Sequence, residues 1–311
     1  KEFNKNKLIK NNKFYLDQAV KRQLISDAPL GAFLSGGLDS SSIIALAKEQ
    51  KNDLNCFTIE IKDQNNKEMI DDLPYAKKVA SFLNLDLDII SIDPKKISDD
   101  FVEMIKRLDE PLSDPAAFHT QYICSLAKKR GMKVLLSGIG GDDLFSGYRR
   151  HQAINYEKFL ILFPKKGLKY LEHISKKLNQ RHSLNRKISK FLSGSNLDAN
   201  RKIINYFSWI NDIELKRLLS DDLKESFSLT ELYKPMEDFL IPLKNKTPVE
   251  KMTSLDQRFF LTDHNLNYAD KMSMSTGVEV RVPFLDNDLI NFVEKIPTKY
   301  KLRRGQTKWI L

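Results

Sequence analysis

Apolar positions along the chain change spacing several times, and each change marks an element. Leu16, Val20 and Leu24 fall on one face of a predicted helix over 14–25, which Asp27-Ala28-Pro29 ends. A continuous apolar run over 31–34 reads as a short buried strand, and Ile43-Ile44-Ala45-Leu46-Ala47 reads as a helix. β-Forming residues over 54–61 predict a second strand and residues 87–92 a third. Between them Leu73, Ala76, Val79, Ala80 and Leu83 mark a helix over 71–83. A further amphipathic helix over 97–108 is broken by Asp109-Glu110-Pro111. Asp114-Pro115 then opens a helix running to about Arg130, with Asp as N-cap and Pro at the first position. Val134-Leu135-Leu136 is a fourth strand.

Strand and helix thus alternate from residue 30 to 140, which argues for an α/β fold with a parallel sheet covered by helices. From about residue 151 to 268 the pattern is helical, without a convincing strand. The expected organisation is therefore an α/β core over 1–150 and a helical extension over 151–311, within which a late segment returns to the core. Asp286 reads as the N-cap of a last helix over 287–295.

Two loops carry candidate chemistry, and both leave strands at their carboxyl ends, where parallel sheets bind ligands. The first is Ser35-Gly36-Gly37-Leu38-Asp39-Ser40-Ser41. Its glycines permit a sharp turn and remove the β-carbons that would block a close ligand. The helix that follows begins with free N–H groups and the positive end of its dipole, an arrangement suited to phosphate. It lacks Gly-Lys-Ser/Thr and is not a Walker P-loop. The second, Ser137-Gly138-Ile139-Gly140-Gly141-Asp142-Asp143, repeats the order of strand, glycine and acid. Asp39 and Asp142 either cap helix N-termini or converge on one Mg²⁺, and two such loops on one sheet favour the metal.

Charge changes the picture less than its size suggests. The formal net charge is +10, and nine basic residues between Lys165 and Lys190 face a single acid, Glu172. No stacking aromatics interleave them as in a strand-binding groove, so nucleic acid is not the expected partner and a solvated face is. The only two cysteines, Cys56 and Cys124, sit in apolar runs and read as buried thiols of a reducing compartment. The five histidines show no metal-ligand spacing. No stretch approaches the roughly 20 apolar residues of a membrane span. A chain that begins at Lys1 reads as a fragment.

As a whole string, Ser-Gly-Gly-Leu-Asp-Ser-Ser resembles the pyrophosphate loop of the N-type ATP pyrophosphatases. Together with residues 137–148 and the block Asp270-Lys271-Met272-Ser273-Met274-Ser275 … Gly277-Val278-Glu279-Val280-Arg281-Val282-Pro283-Phe284-Leu285-Asp286, it resembles the synthetase domain of glutamine-dependent asparagine synthetases. Thr307-Lys308-Trp309-Ile310-Leu311 is similar to the family's segment after the last helix. The resemblance implies an adenine nucleotide alpha hydrolase-like, Rossmann-like fold and a cytoplasmic enzyme using ATP and Mg²⁺. It implies that Ser35, Gly36, Gly37, Leu38, Asp39 and Ser40 hold pyrophosphate and its metal. Leu34 and Ile59 would flank adenine and ribose, and Ser137, Gly138 and Asp142 would complete the nucleotide and metal site. Lys271 would neutralise charge on the α-phosphate, whereas by pattern alone a lone lysine is a surface residue. Glu110 falls on the acid of a family Asp-Glu-Pro element beside the cleft.

Two departures bear on the substrate. Asparagine synthetases have glutamate, and β-lactam-forming relatives tyrosine, where this chain has Ile139. Isoleucine neither accepts a proton nor hydrogen-bonds, so the acceptor is aspartate or another carboxylate, such as a sugar acid of surface polysaccharide. Nothing here resembles the family's glutaminase domain, so the expected ammonia source lies outside this chain. A tRNA-modifying pyrophosphatase and a nucleotide-binding scaffold without activity are the alternatives.

Overall fold

The computed structural model describes residues 4–62, 72–110, 112, 114–157, 163–179, 182–194, 197–226 and 228–311. The chain divides into two compact units, one of Lys1–Gly147, Gln257–Arg303 and Lys308–Leu311, the other of Tyr148–Asp256 with Arg304–Thr307.

The first unit is built on a sheet. Its elements in chain order are α1 (Lys5–Gln23), β1 (Leu30–Phe33), α2 (Leu38–Gln50), β2 (Asn55–Ile61), α3 (Leu73–Leu83), β3 (Leu87–Ile92), α4 (Pro94–Arg107), α5 (Ala116–Lys129), β4 (Val134–Leu136) and α6 (Gly141–Phe145). Strand order is β3-β2-β1-β4-β5, where β5 is Glu279–Arg281, and every pairing is parallel. All four expected strands are present; β5 is an addition. Its signal was the alternation Val278-Glu279-Val280-Arg281-Val282, a period of two. The expected start of the third helix at Asp71 lies outside the described residues. The first helix begins nine residues earlier than 14, at Lys5, because Asn4 caps it by accepting from the N–H groups of Asn6 and Lys7.

Alternation along the strands sorts the core onto two faces. Leu30, Ala32, Leu34, Cys56, Val134 and Leu136 join one apolar cluster with residues of α1, α2 and α3. Phe33, Phe57, Leu135 and Val280 join another that includes Ile123, Cys124 and Ala127 of α5. Burial among these side chains pushes both thiols up to about 12, so neither ionises near neutral pH. Gly31 is required where it stands: a β-carbon there would lie 2.7 Å from Asn55 O and 2.8 Å from the Phe57 ring.

The second unit, among its described residues, is helical: α7 (Arg149–Tyr156), α8 (Lys165–Lys177), α9 (Ser183–Leu192), α10 (Ala199–Asn205), α11 (Asp212–Leu218), α12 (Asp221–Ser226), α13 (Leu229–Leu240) and α14 (Pro248–Leu255). A π-helical stretch, Asp256–Leu266, leads from α14 into α15 (Asn267–Met274) of the first unit. α16 (Asn287–Val293) and α17 (Thr298–Lys301) follow β5. Asp286 caps α16 as expected, accepting from the N–H groups of Asp288 and Leu289, and also pairs with Arg22 at 2.6 Å.

In the helical unit, Asp256 is fully buried. It accepts from Arg150 Nε at 2.8 Å and from His151 Nε2 at 2.6 Å. Burying a carboxylate is unfavourable unless both oxygens are satisfied, and removing it leaves a guanidinium and an imidazole stranded. Asp256→Ala is therefore expected to destabilise the chain by about 3 kcal/mol, read as a lowered thermal midpoint. A midpoint within 1 °C of wild type, the reach of only a few tenths of a kcal/mol, would show that the trio contributes nothing net.

Candidate functional site

The two glycine loops meet. β1 pairs directly with β4, Leu30 opposite Val134 and Ala32 opposite Leu136, so both loops leave neighbouring strands at the same end. Loop 35–37 turns through Gly36 at φ +76°, and a β-carbon there would stand 2.4 Å from Ala76 N at the start of α3. Ser35 and Ser40 do not simply point outward. Their hydroxyls lie 3.0 Å apart, Gly37 N donates to Ser35 Oγ at 3.2 Å, and Ser40 Oγ donates to Gly37 O at 3.3 Å. They shape the loop as much as they offer donors. Gly37 is the N-cap of α2 without a side-chain cap bond, leaving the first turn's N–H groups for a ligand.

The second loop fits against the first because it lacks side chains. A β-carbon on Gly138 would come within 2.9 Å of Ser40 N, and one on Gly141 within 2.4 Å of Asp39 Cγ. A third glycine, Gly147, faces Asp142 and Lys308 at closer range still. Asp39 and Asp142 are thereby drawn together with one lysine between them. Lys308 Nζ lies 2.5 Å from Asp39 Oδ2 and 2.8 Å from Asp142 Oδ1. Lys308 reaches them from a backbone at φ +51°, a conformation unfavourable for a residue with a β-carbon and a sign that its surroundings over-determine it.

The charges are unequally matched. Burial raises the Asp39 carboxyl to about 6; Lys308 opposes that shift and the neighbouring Asp142 adds to it. Burial alone would lower Lys308, but the two carboxylates outweigh it and hold the ammonium. Two acids share one fixed cation, and Asp39 Oδ1 is buried without a partner. That donor set fits a Mg²⁺, which is usually held by one or two carboxylates and completed by phosphate oxygens and water. No cluster of three or more His, Cys, Asp or Glu exists among the described residues, so these would supply two carboxylate ligands to it.

The remaining expected residues are distributed as follows. Leu38 is exposed at the start of α2. Leu34 is 1% exposed within the core, its N–H donating to Phe57 O at 2.9 Å. Ile59 is half-buried on β2, against the α5 side of the sheet. Ser137 Oγ accepts from Ile139 N at 3.3 Å, closing the second loop on itself. Lys271, on α15, forms an ion pair with Asp109, which raises its pKa further; among the described residues no ion pair joins it to Asp39 or Asp142. Glu110 is exposed next to Asp109, and Pro111 lies outside the described residues.

Ile139 is packed into an apolar cluster with Tyr268, Phe118 and Leu112. Polar groups border this cluster. His264 Nε2 and Asp114 Oδ2 are 2.8 Å apart. Burial would raise Asp114, but the bonds from His264 and from Ala116 N–H prevail and hold it below the ordinary carboxylate range. His119, in the first turn of α5, has a buried Nε2 without a partner.

The asparagine synthase family profile matches residues 13–311. The chain belongs to the asparagine synthase family. It is 30% identical over 305 residues to glutamine-hydrolysing asparagine synthetase 1 of Bacillus subtilis, covering 98% of this chain and 46% of that protein. It is also 23% identical to Amidase chyE of Penicillium rubens, over 92% of this chain and 45% of that one. The chain thus spans under half the length of these curated relatives. Among solved structures, NMN synthetase from Francisella tularensis aligns at a TM-score of 0.32 and 13% identity, over 88% of this chain and 95% of that one.

In the sequence Lys308 belongs only to a closing string, and nothing local marks it as a site residue; the fold brings residue 308 beside residue 39. Because a protonated Asp39 is favoured by burial, its contribution to stability is present below pH 4 and is lost as pH rises through about 6. Ionised Asp39 is the form that binds a cation. Millimolar Mg²⁺ is therefore expected to raise the thermal midpoint more at pH 7.5 than at pH 5, and more in Lys308→Met than in wild type. Equal shifts at both pH values would remove Asp39 as a metal ligand.

Proposed function

We propose that this asparagine synthase family member amidates a carboxylate at the expense of ATP through an acyl-adenylate. The observation that carries the reading is the convergence of Asp39, Asp142 and Lys308 where two glycine loops meet at the sheet's carboxyl edge. The N–H groups opening α2 and the residues Ser35, Gly36, Gly37 and Ser40 cradle the β- and γ-phosphates. Ser137 and Gly138 close the nucleotide site, with Ile59 on its adenosine side. Lys308 adds positive charge where pyrophosphate departs. Mg²⁺ held by Asp39 and Asp142 would neutralise phosphate charge there.

The acceptor carboxylate attacks the α-phosphorus, the bond to the bridging oxygen breaks, and pyrophosphate leaves. Ammonia then attacks the acyl carbon and AMP departs. Lys271, oriented by Asp109, stabilises charge that grows on the α-phosphate in both steps. Glu110 borders the entrance. The sheet unit is the ATP-cleaving core, and the ammonia comes from glutamine hydrolysed outside the 311 residues of this chain. Cytoplasmic ATP and two un-ionised, buried thiols suit the same compartment.

Aspartate is the first acceptor to test, since relatives carry the asparagine synthetase name. One observation favours a different acid. Ile139 packs against the apolar cluster that holds Phe118 and Tyr268, and His119 and the Asp114–His264 pair, which border that cluster, offer polar partners. A hydroxylated acid such as a uronic acid would use both. Pyrophosphate release should be measured with ATP, ammonia and a panel of carboxylates. The expected result is release that depends on one acceptor and falls at least 100-fold in Asp39→Asn and Lys308→Met, the order of loss seen when one charge-stabilising group is removed. In Ile139→Glu, use of aspartate should rise relative to other acids. ADP in place of AMP would exclude the mechanism.

A further inference from the structure

The basic segment over 165–190 takes a different meaning once its side chains are placed. Lys190 is not a surface charge: its Nζ donates to Asn205 O and Ser208 O, each at 2.6 Å, and its burial lowers the pKa. Lys176 is taken by Glu172 at 2.8 Å. Arg181 lies outside the described residues. The Lys165 side chain also lies outside the described residues, and Arg186 is partnered. What remains is Lys166, Lys169, Lys177 and Lys187, exposed and in no ion pair among the described residues.

These lysines flank apolar side chains that face water. On α8 the inward face is Leu168 and Ser175, seven residues apart. Around the same helix, Tyr170, Leu171 and Ile174 repeat at three and four residues and are exposed, Tyr170 by 67%. At 100° per residue they form one arc, and Lys166, Lys169 and Lys177 form the arc beside it. The neighbouring α9 repeats the design, with Leu184 exposed by 68% and Ile188 four residues on, next to Lys187. Both helices also bury an inner apolar side, so the outer stripe is additional to what packing requires.

We propose that the α8–α9 pair is a docking face for an anionic lipid surface. Helices that lie in a bilayer interface combine an apolar stripe with lysines at its edge, whose stems lie along the lipid while the ammonium reaches the headgroups. Tyr170 is the one aromatic ring of this stripe among aliphatic Leu171, Ile174, Leu184 and Ile188, whereas RNA calls for several aromatic platforms under successive bases. A two-fold dimer through this face would set lysines against lysines. The second unit has no helix among the described residues long and apolar enough to span, so the contact would be peripheral. This inference does not depend on the proposed reaction.

The test is co-sedimentation of the whole chain with vesicles of phosphatidylcholine alone, or with a third of the lipid replaced by phosphatidylglycerol. Binding is expected only with the anionic lipid, and weaker at 1 M salt than at 0.1 M. The double variants Lys166→Glu/Lys169→Glu and Tyr170→Ser/Ile174→Ser should each lower partitioning by about tenfold or more. Their thermal midpoints should match wild type, because all four side chains are exposed. Phe82→Ser, at an exposed position in the sheet unit, should bind as wild type does. Absence of binding to anionic vesicles overturns the proposal, as does wild-type binding by both double variants. Capture of RNA that only the lysine variant loses, or a dimer in solution that only the apolar variant dissolves, without vesicle binding, would assign the face to those partners instead.

Discussion

Two carboxylates, Asp39 largely buried and Asp142 partly exposed, held around one largely buried lysine set the terms for this protein. Asp39 and Asp142 repel each other, and Lys308 between them offsets only one of the two negative charges. A site built this way is left one positive charge short. It is also preorganised for whatever brings that charge, because the donors are held by glycine-lined backbone instead of by flexible side chains. The sheet beneath thus sustains a local electrostatic deficit.

The glycines are what allow such proximity. Gly138 and Gly141 touch the backbone and carboxylate of the opposite loop, and any β-carbon would push the two acids apart. Direct pairing of β1 with β4 supplies the alignment, since neighbouring parallel strands deliver their following loops to one edge. The second loop thus has two surroundings: Gly138 and Gly141 lie against Asp39 and the first loop, while Ile139 packs into an apolar cluster that includes Tyr268.

Much of this was legible in residue order because its causes are local. Strand and helix alternated over 30–140, Asp286 capped the helix that followed it, and both glycine loops stood between an apolar run and a helix. What was not legible depends on distant partners. The pairing of Lys271 with Asp109 and of Lys308 with Asp39 joins residues far apart in the chain, and a lysine carries no local sign of its destination. β5 was overlooked although its valines alternate, since three residues are too few for periodicity to outweigh the glycine and proline around them. The basic segment misled for a related reason: charge can be counted from sequence, but whether Lys190 turns inward cannot.

The lysine that completes the acidic pair is separated from Asp39 by 269 positions. A sheet edge formed early in synthesis therefore waits for those 269 residues before its polar centre closes. Contacts of such long range form late in folding, since so much chain must first be ordered. A growing chain that has not reached residue 308 could hold every strand in register and still lack the group that joins the loops, so assembly of the sheet and closure of the acidic pair are distinct events in time.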